Sequence, residues 1–457
     1  MSSLIKNARP VAVIGAGPAG LYAAKELADA GYEVALLNRD IKLGGLAEYG
    51  IYYDKHKMKS GLRKQFHRLM EADNIHYYGN VKIAADGDLS LDDLRSMGFA
   101  GILVTVGAQG TKWLGLPGEH YKGVYHAKDL VYHYNKLPPF SQKTYQIGES
   151  VALIGVGNVM TDIAHWTIRD LKVDKVTAVA RRGPAEIKFT KKEWQNVAKN
   201  LDRDAFEKEF AECVPVMEAV GQDVEMAKDF ILAPIANALE PDSDSCFYFD
   251  FFANPTQIVG SEAGKVTGLE VEETKLEARP DGTTKPVGTG VKRVIPADTV
   301  IFCIGDRVDA DFGLPLNKWQ EFAKNPNPKY PVEDTSYEAY DPENDQPLPG
   351  IFLAGWAREA SYGLVGIARK DGTNGSHALM QYLDDTPGSE RAEDAFGKLE
   401  AQLGKLGKPV VSKADWLRLS AAEQDRAAAL GLEEFKFGSN DEMLAAISMA
   451  PEKLGEQ

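Results

Sequence analysis

The apolar positions of this chain gather into short unbroken runs rather than one long repeating stripe. Val11–Ile14, Val34–Leu37, Val151–Ile154, Val300–Ile304 and Ile351–Ala354 are each four or five residues long, and each is bounded by glycine or polar residues. Runs of this length predict buried strands. Between the first two, Leu21, Ala24, Leu27 and Ala28 recur at helical spacing and stop at Gly31, so the order is strand, turn, helix, strand.

The turn is Gly15-Ala-Gly17-Pro-Ala-Gly20. In that context Gly15 makes the bend, Gly17 lets backbone approach a pyrophosphate, and Gly20 allows close packing of helix on strand, with the helix N-terminus facing the anion. The same grammar returns at Gly155-Val-Gly157-Asn158-Val159-Met160, ahead of a helix through Ile168 and a strand Val176 to Ala180. A duplicated dinucleotide-binding α/β fold follows. Where a site for NADH would place a carboxylate against the ribose, this second unit has Arg181-Arg182. Two guanidiniums suit a 2′-phosphate, which favours NADPH, the alternative being a solvated basic turn.

Gly101–Ala108, Thr299–Asp306 and Gly350–Trp356 read as strands leaving the two sheets, and the Pro/Asn/Asp-rich stretch from Asn325 to Pro349 as a domain crossing. The expected architecture is two Rossmann-like domains, the second inserted into the first: 1–108, 109–320 for the insert, and 321–457 for the return. The return carries a charged helical tail (Ala392–Leu403, Ala421–Leu430) in which no chemistry is apparent.

Composition narrows the function. Among 457 residues, 52 basic and 67 acidic side chains give a net charge of −15, which disfavours nucleic acid and anionic lipid as partners. Cys213, Cys246 and Cys303 form neither a disulfide framework nor a CxxC pair, and a reducing, cytoplasmic location fits. No apolar run approaches the roughly 20 residues of a membrane span, and Met1–Pro10 is polar. His126, His133 and His165 show no metal spacing, and no metal is expected. Trp113, Trp166 and Trp194 read as packing anchors.

Taken together, the chain resembles adrenodoxin reductase and its bacterial ferredoxin–NADP reductase relatives. The resemblance is carried by the two glycine turns, Gly44-Gly-Leu-Ala-Glu-Tyr-Gly50, Leu116-Pro-Gly-Glu119, Arg181-Arg-Gly-Pro184 with Phe189-Thr190 and Glu193, and Gly355-Trp356 with Gly363. It covers nearly the whole chain, loosely from 200 to 295. It implies FAD on the first unit, held by Gly15, Gly17, Gly20, Asn38, Gly45, Leu46, Val81 and Gly107, with Gly355, Trp356, Gly363 and Val365 beside the isoalloxazine. It implies NADPH on the second, with Gly155, Gly157, Asn158 and Val159 at the pyrophosphate and Arg181, Arg182 and Glu193 around the 2′-phosphoadenosine. The two redox rings would then stack. Trp356, with Asp54 and His56 near the family's acid/base position, are the candidate catalytic residues.

This chain departs from the family pattern in several places. Asn38 stands where a glutamate is usual, His56 is displaced by one position, and the loop after Gly355 reads Trp-Ala-Arg358-Glu359-Ala-Ser361-Tyr362-Gly363, which marks a divergent subgroup. Hydride transfer from nicotinamide to flavin needs no nucleophile from the protein. Without CxxC, electrons are expected to leave the flavin directly for a ferredoxin or flavodoxin. The alternatives are an FAD/NADPH-dependent small-molecule reductase or monooxygenase, and a non-catalytic pyridine-nucleotide sensor or complex subunit. Lys55–Arg68 holds six Lys/Arg and no carboxylate, so Lys57, Lys59, Arg63 and Lys64 are the expected landing site for an acidic carrier, or else a solvated helix face.

Overall fold

The computed structural model describes residues 9–386 and 392–449. Two compact units emerge: Met1–Thr111 with Tyr132–Gln142 and Asp306–Gln457, and Lys112–Val131 with Lys143–Gly305. The chain thus returns at Asp306, where the sequence suggested a return at 321. Asn325–Pro349 lies inside the first unit and is no crossing. Its polar residues serve one another there: Glu338 is buried, its carbonyl accepts the Asn325 N–H at 2.9 Å, and its carboxylate accepts the Tyr330 N–H at 3.1 Å. The stretch has the composition of a linker, yet it is anchored to the first unit by the buried Asn325 and Glu338 and carries the outer strand of that unit's sheet.

In the first unit, β1 (Pro10–Ile14), α1 (Pro18–Asp29), β2 (Glu33–Asn38), α2 (Leu46–Tyr49), α3 (His56–Leu69), β3 (Ile75–Gly79) and β4 (Gly101–Val104) follow in order. The six-stranded sheet runs Glu338–Asp341, Gln346–Leu353, β4, β1, β2, β3, all parallel except the antiparallel outer strand Glu338–Asp341. Alternate residues enter different cores. Val11, Val13, Val34 and Leu36 pack with Leu21, Leu27 and Leu379, while Ala12, Ile14, Ala35 and Leu37 pack with Leu94, Phe99 and Leu399. Both faces are covered, which is why these strands read as continuous apolar runs.

Close contacts set the helix against the sheet. A Cβ on Gly20 would lie 1.9 Å from the Gly15 carbonyl oxygen, and one on Gly372, in the helix Val365–Asp385, would lie 2.1 Å from the Ala19 carbonyl oxygen. The tail is part of the same core. The helix Lys413–Leu430 opens on a capping box between Ser412 and Asp415, eight residues earlier than the apolar pattern suggested, and buries Trp416 and Leu419; Met443 and Ile447 join them from Asn440–Met449.

The second unit holds a five-stranded parallel sheet in the order Val124–His126, Thr299–Phe302, Ser150–Ile154, Lys175–Val179, Cys246–Asp250. A three-stranded antiparallel sheet, Ala253–Gly260, Val266–Ala278 and Thr284–Pro296, occupies much of the stretch where the family resemblance is loose. Trp194 is buried among Phe189, Phe247 and Phe249, and its indole N–H donates to the Ile231 carbonyl at 2.9 Å.

Gly372→Ala drives a methyl into backbone that cannot turn aside, so it should cost about 3 kcal/mol and lower the melting temperature of the first unit by roughly 5 °C or more, measurable by calorimetry.

Candidate functional site

The first glycine turn is open on the side where an anion would lie. Gly15 takes φ +104°, its N–H donates to the Leu37 carbonyl at 2.7 Å, and its own carbonyl accepts the Thr105 hydroxyl at 2.8 Å. Gly17 precedes Pro18 at the start of α1, no side chain caps the helix, and nothing lies within 4 Å of the place a Cβ would occupy. The uncapped amides of this turn are the donors that a pyrophosphate needs.

The loop Gly44–Leu46 lies against that turn. The Gly44 N–H donates to the Ala16 carbonyl at 2.7 Å, and a Cβ on Gly45 would come within 3.0 Å of the Gly17 Cα. Asn38 braces it from β2. Its Oδ1 accepts the Ala16 N–H at 3.0 Å, and its Nδ2 donates to the carbonyls of Asp40 at 2.9 Å and Lys42 at 3.0 Å. Val81, fully buried, donates its N–H to the Asn38 carbonyl at 2.9 Å, and Gly107 follows β4 at φ +73°.

Gly355 takes φ +66°, and a Cβ there would lie 2.7 Å from the Ala19 Cβ on α1. Its N–H donates to Asp371 Oδ2 at 2.6 Å, and the same carboxylate accepts the Arg358 guanidinium at 2.6–3.1 Å and the Tyr337 hydroxyl at 3.1 Å. Trp356 donates its indole N–H to the Tyr362 carbonyl at 2.9 Å, which closes the loop that ends in Gly363 and Val365. Asp371 was not singled out from sequence. The signal was there, an acidic residue in the middle of a small-residue helix face beside Gly372.

Beneath α2 lies a buried cluster of seven charges. Glu48 accepts the Arg63 fork at 2.7 and 2.6 Å, Lys42 at 3.2 Å and Lys436 at 3.1 Å. Lys42 also donates to Glu423; Glu434 accepts Arg63 at 2.8 Å and lies 3.3 Å from Lys436 and 3.8 Å from Lys59. Burial alone would raise the Glu48 carboxyl, but Lys42, Lys436 and Arg63 hold it well below the usual range. The same balance leaves Glu434 at about 2. Burial and the like charge of Lys436 push Lys59 down to about 7.

This cluster corrects the landing site read from sequence. Lys59 is completely buried and donates to Asn135 Oδ1 at 2.9 Å, and Arg63 is engaged by Glu48 and Glu434. On α3 only Lys57, Lys64 and Arg68 point their charges outward. The tail, in which the sequence shows no chemistry, supplies Glu423, Glu434 and Lys436. His56 opens α3 with Nδ1 at 3.2 Å from Glu434, and Asp54 is exposed two residues earlier.

The second turn repeats the first within its own unit. Gly155 takes φ +118°, a Cβ there would meet the Cys303 carbonyl at 2.5 Å, and Gly157 begins the helix Asn158–His165 with no side-chain cap and no neighbour within 4 Å of its missing Cβ. Asn158 Oδ1 accepts the Thr190 N–H at 2.8 Å, and Thr190 caps the short helix that carries Glu193. Val159 and Arg181 are exposed, and Arg182 is half-buried. The three cysteines are free thiols, far apart in sequence. Among the described residues no helix is long and apolar enough to cross a membrane.

Comparison with known proteins agrees with this arrangement. Residues 9–204 match the profile of the family described as pyridine nucleotide-disulphide oxidoreductase. The mitochondrial NADPH:adrenodoxin oxidoreductase of Arabidopsis thaliana is 26% identical over 91% of this chain and 96% of its own length. The NADPH-ferredoxin reductase FprA of Mycobacterium leprae is 24% identical over 95% and 97%. Among solved structures, Mycobacterium tuberculosis FprA in complex with NADPH superposes with a TM-score of 0.79 at 23% identity, covering 96% of this chain and 99% of that one. The two-domain dinucleotide-binding fold is therefore shared, and the likeness read from the motifs extends over nearly the whole chain.

Removing the shared acceptor by Glu48→Ala leaves buried Lys42 and Lys436 and half-buried Arg63 underpaired and should cost about 3–5 kcal/mol in denaturant unfolding. Glu434 is held at about 2 against an ordinary 4.5, so its contribution is complete above about pH 4.5 and is lost as pH falls toward 2. Unfolding midpoints between pH 2 and 6 should show this loss, and Glu434→Gln should diminish it.

Proposed function

We propose that this chain is an FAD-dependent reductase that moves electrons between NADPH and a one-electron carrier protein, a ferredoxin or a flavodoxin. The observation that carries the reading is the pair of open, uncapped glycine turns, one in each unit, each with room where a side chain would otherwise stand. Near-full-length likeness to reductases named for NADPH and for adrenodoxin or ferredoxin supports the choice of cofactor and partner.

On this reading Gly15, Gly17 and Gly20 with Gly45 and Leu46 hold the FAD pyrophosphate, while Asn38, Val81 and Gly107 shape the adenosine side of the cradle. Gly355, Trp356, Gly363 and Val365 face the isoalloxazine, kept in place by Asp371 and Arg358. Gly155, Gly157, Asn158 and Val159 hold the NADPH pyrophosphate; Arg181, Arg182 and Glu193 take the phosphorylated ribose. Bound FAD would supply the hydride acceptor and the means to release single electrons. His56 beside Glu434 is the group placed to hold a proton, with Asp54 close in sequence. The free, separated cysteines support electron exit without a thiol relay, and they support a cytoplasmic location.

Purified protein should be yellow, and anaerobic NADPH should bleach the flavin at far lower concentration than NADH; colourless protein would instead favour the sensor reading. Arg181→Ala should raise KM for NADPH roughly ten- to hundredfold, as loss of about 1.5–3 kcal/mol of charge-assisted bonding requires, and leave KM for NADH nearly unchanged. For the carrier, Lys57→Glu with Lys64→Glu should slow ferredoxin reduction in a salt-dependent way while a small dye is reduced at the normal rate. Equal slowing of both would rule the patch out as a landing site.

A further inference from the structure

The second unit contains an acid beside the arginine pair. Glu186 lies one short turn after Gly183-Pro184, 3.4 Å from Arg182 Nη1, and its Oε1 also accepts the Thr284 hydroxyl. Arg182 Nη2 donates to the Thr284 carbonyl at 3.2 Å, at the first residue of the strand Thr284–Pro296. Both terminal nitrogens of the guanidinium are thus already engaged by the protein. What remains is informative: Arg182 Nε and Glu186 Oε2 are each buried without a hydrogen-bond partner. One donor of Arg182 and one acceptor of Glu186 are thus left over. Unpaired groups of this kind are costly unless a ligand completes them.

A 2′-phosphate that gains Arg182 is placed beside the Glu186 carboxylate, 3.4 Å from that guanidinium, whereas an unphosphorylated ribose brings no charge to meet it. From this, and resting on the proposed NADPH site, we infer that Glu186 is a specificity-determining residue that narrows the preference for NADPH over NADH below what Arg181 and Arg182 alone would give. Discrimination is a difference between two affinities, and a like charge set against the phosphorylated ligand is the repulsive half of that difference.

The test is binding to the holoprotein, followed by turnover. In Glu186→Gln, 2′,5′-ADP should bind about tenfold more tightly by calorimetry, 5′-AMP should bind no more tightly than in the parent, and the ratio of kcat/KM for NADPH over NADH should rise about tenfold. Glu186→Asp, which keeps the charge, should retain the parent ratio, and melting curves should show that both variants fold. Unchanged or weaker 2′,5′-ADP binding in Glu186→Gln would overturn the inference and make the acid a mere support for Arg182. If the parent binds 2′,5′-ADP no better than 5′-AMP and Arg181→Ala alters neither, the NADPH site itself is wrong and the inference falls with it.

Discussion

Everything in the first unit depends on one steric condition: the start of α1 must reach the end of β1 with no side chain between them. Gly20 sits so close to the Gly15 carbonyl that a single methyl would overlap it, and that closeness aims the unbonded amides of α1 at the open space beside Gly17. Any larger residue at position 20 pushes the helix away and removes the donors together with the packing. The second unit repeats the approach of turn to neighbouring strand: a Cβ on Gly155 would meet the Cys303 carbonyl at 2.5 Å, as one on Gly15 would meet the Thr105 carbonyl at 2.6 Å. Two units that solve one steric problem by similar means are suited to ligands that share a pyrophosphate.

The charged cluster below α2 answers a different need. A four-residue helix between two glycine-rich bends has little stability of its own. It is held by long-range ionic contacts: Lys42 from the loop after β2, Arg63 from α3, and Lys436 from the tail all converge on Glu48. Burying seven charges is costly in itself. The return is geometric, since Glu48 cannot move without exposing three cations, so the Gly44–Leu46 loop against the first turn stays where the backbone bond from Gly44 to Ala16 places it.

How much of this the sequence carries follows from the range of the interactions. The strands, the glycine turns and Arg181-Arg182 depend on neighbours a few residues away, and they were readable as local patterns. The fate of α3 was not. Its basic face looks free in sequence because the acid that engages Arg63, Lys59 and His56 is Glu434, 371 positions beyond Arg63. The stretch Asn325–Pro349 misleads for the converse reason, since Glu338, buried thirteen residues beyond Asn325, ties it into the first unit by bonds that composition does not show. Asp371 is intermediate: its sequence position was visible, but its partners Gly355, Arg358 and Tyr337 meet only once the helix Val365–Asp385 lies along α1.

Asn38 shows how a departure from a family pattern can follow from the fold. A carboxylate at this position could accept the Ala16 N–H, but it would face the carbonyl oxygens of Asp40 and Lys42, which both lie at hydrogen-bond distance from Nδ2. Only a side chain that accepts on one side and donates on the other satisfies all three. The amide therefore goes with a loop that doubles back after β2, and that loop brings Lys42 under α2 to meet Glu48 and Glu423. Charge lost at the end of β2 is accompanied by charge gained beneath α2, through Lys42 and the tail that pairs with it. In this chain the neutral residue at the end of β2 and the ion cluster beneath α2 are parts of one arrangement.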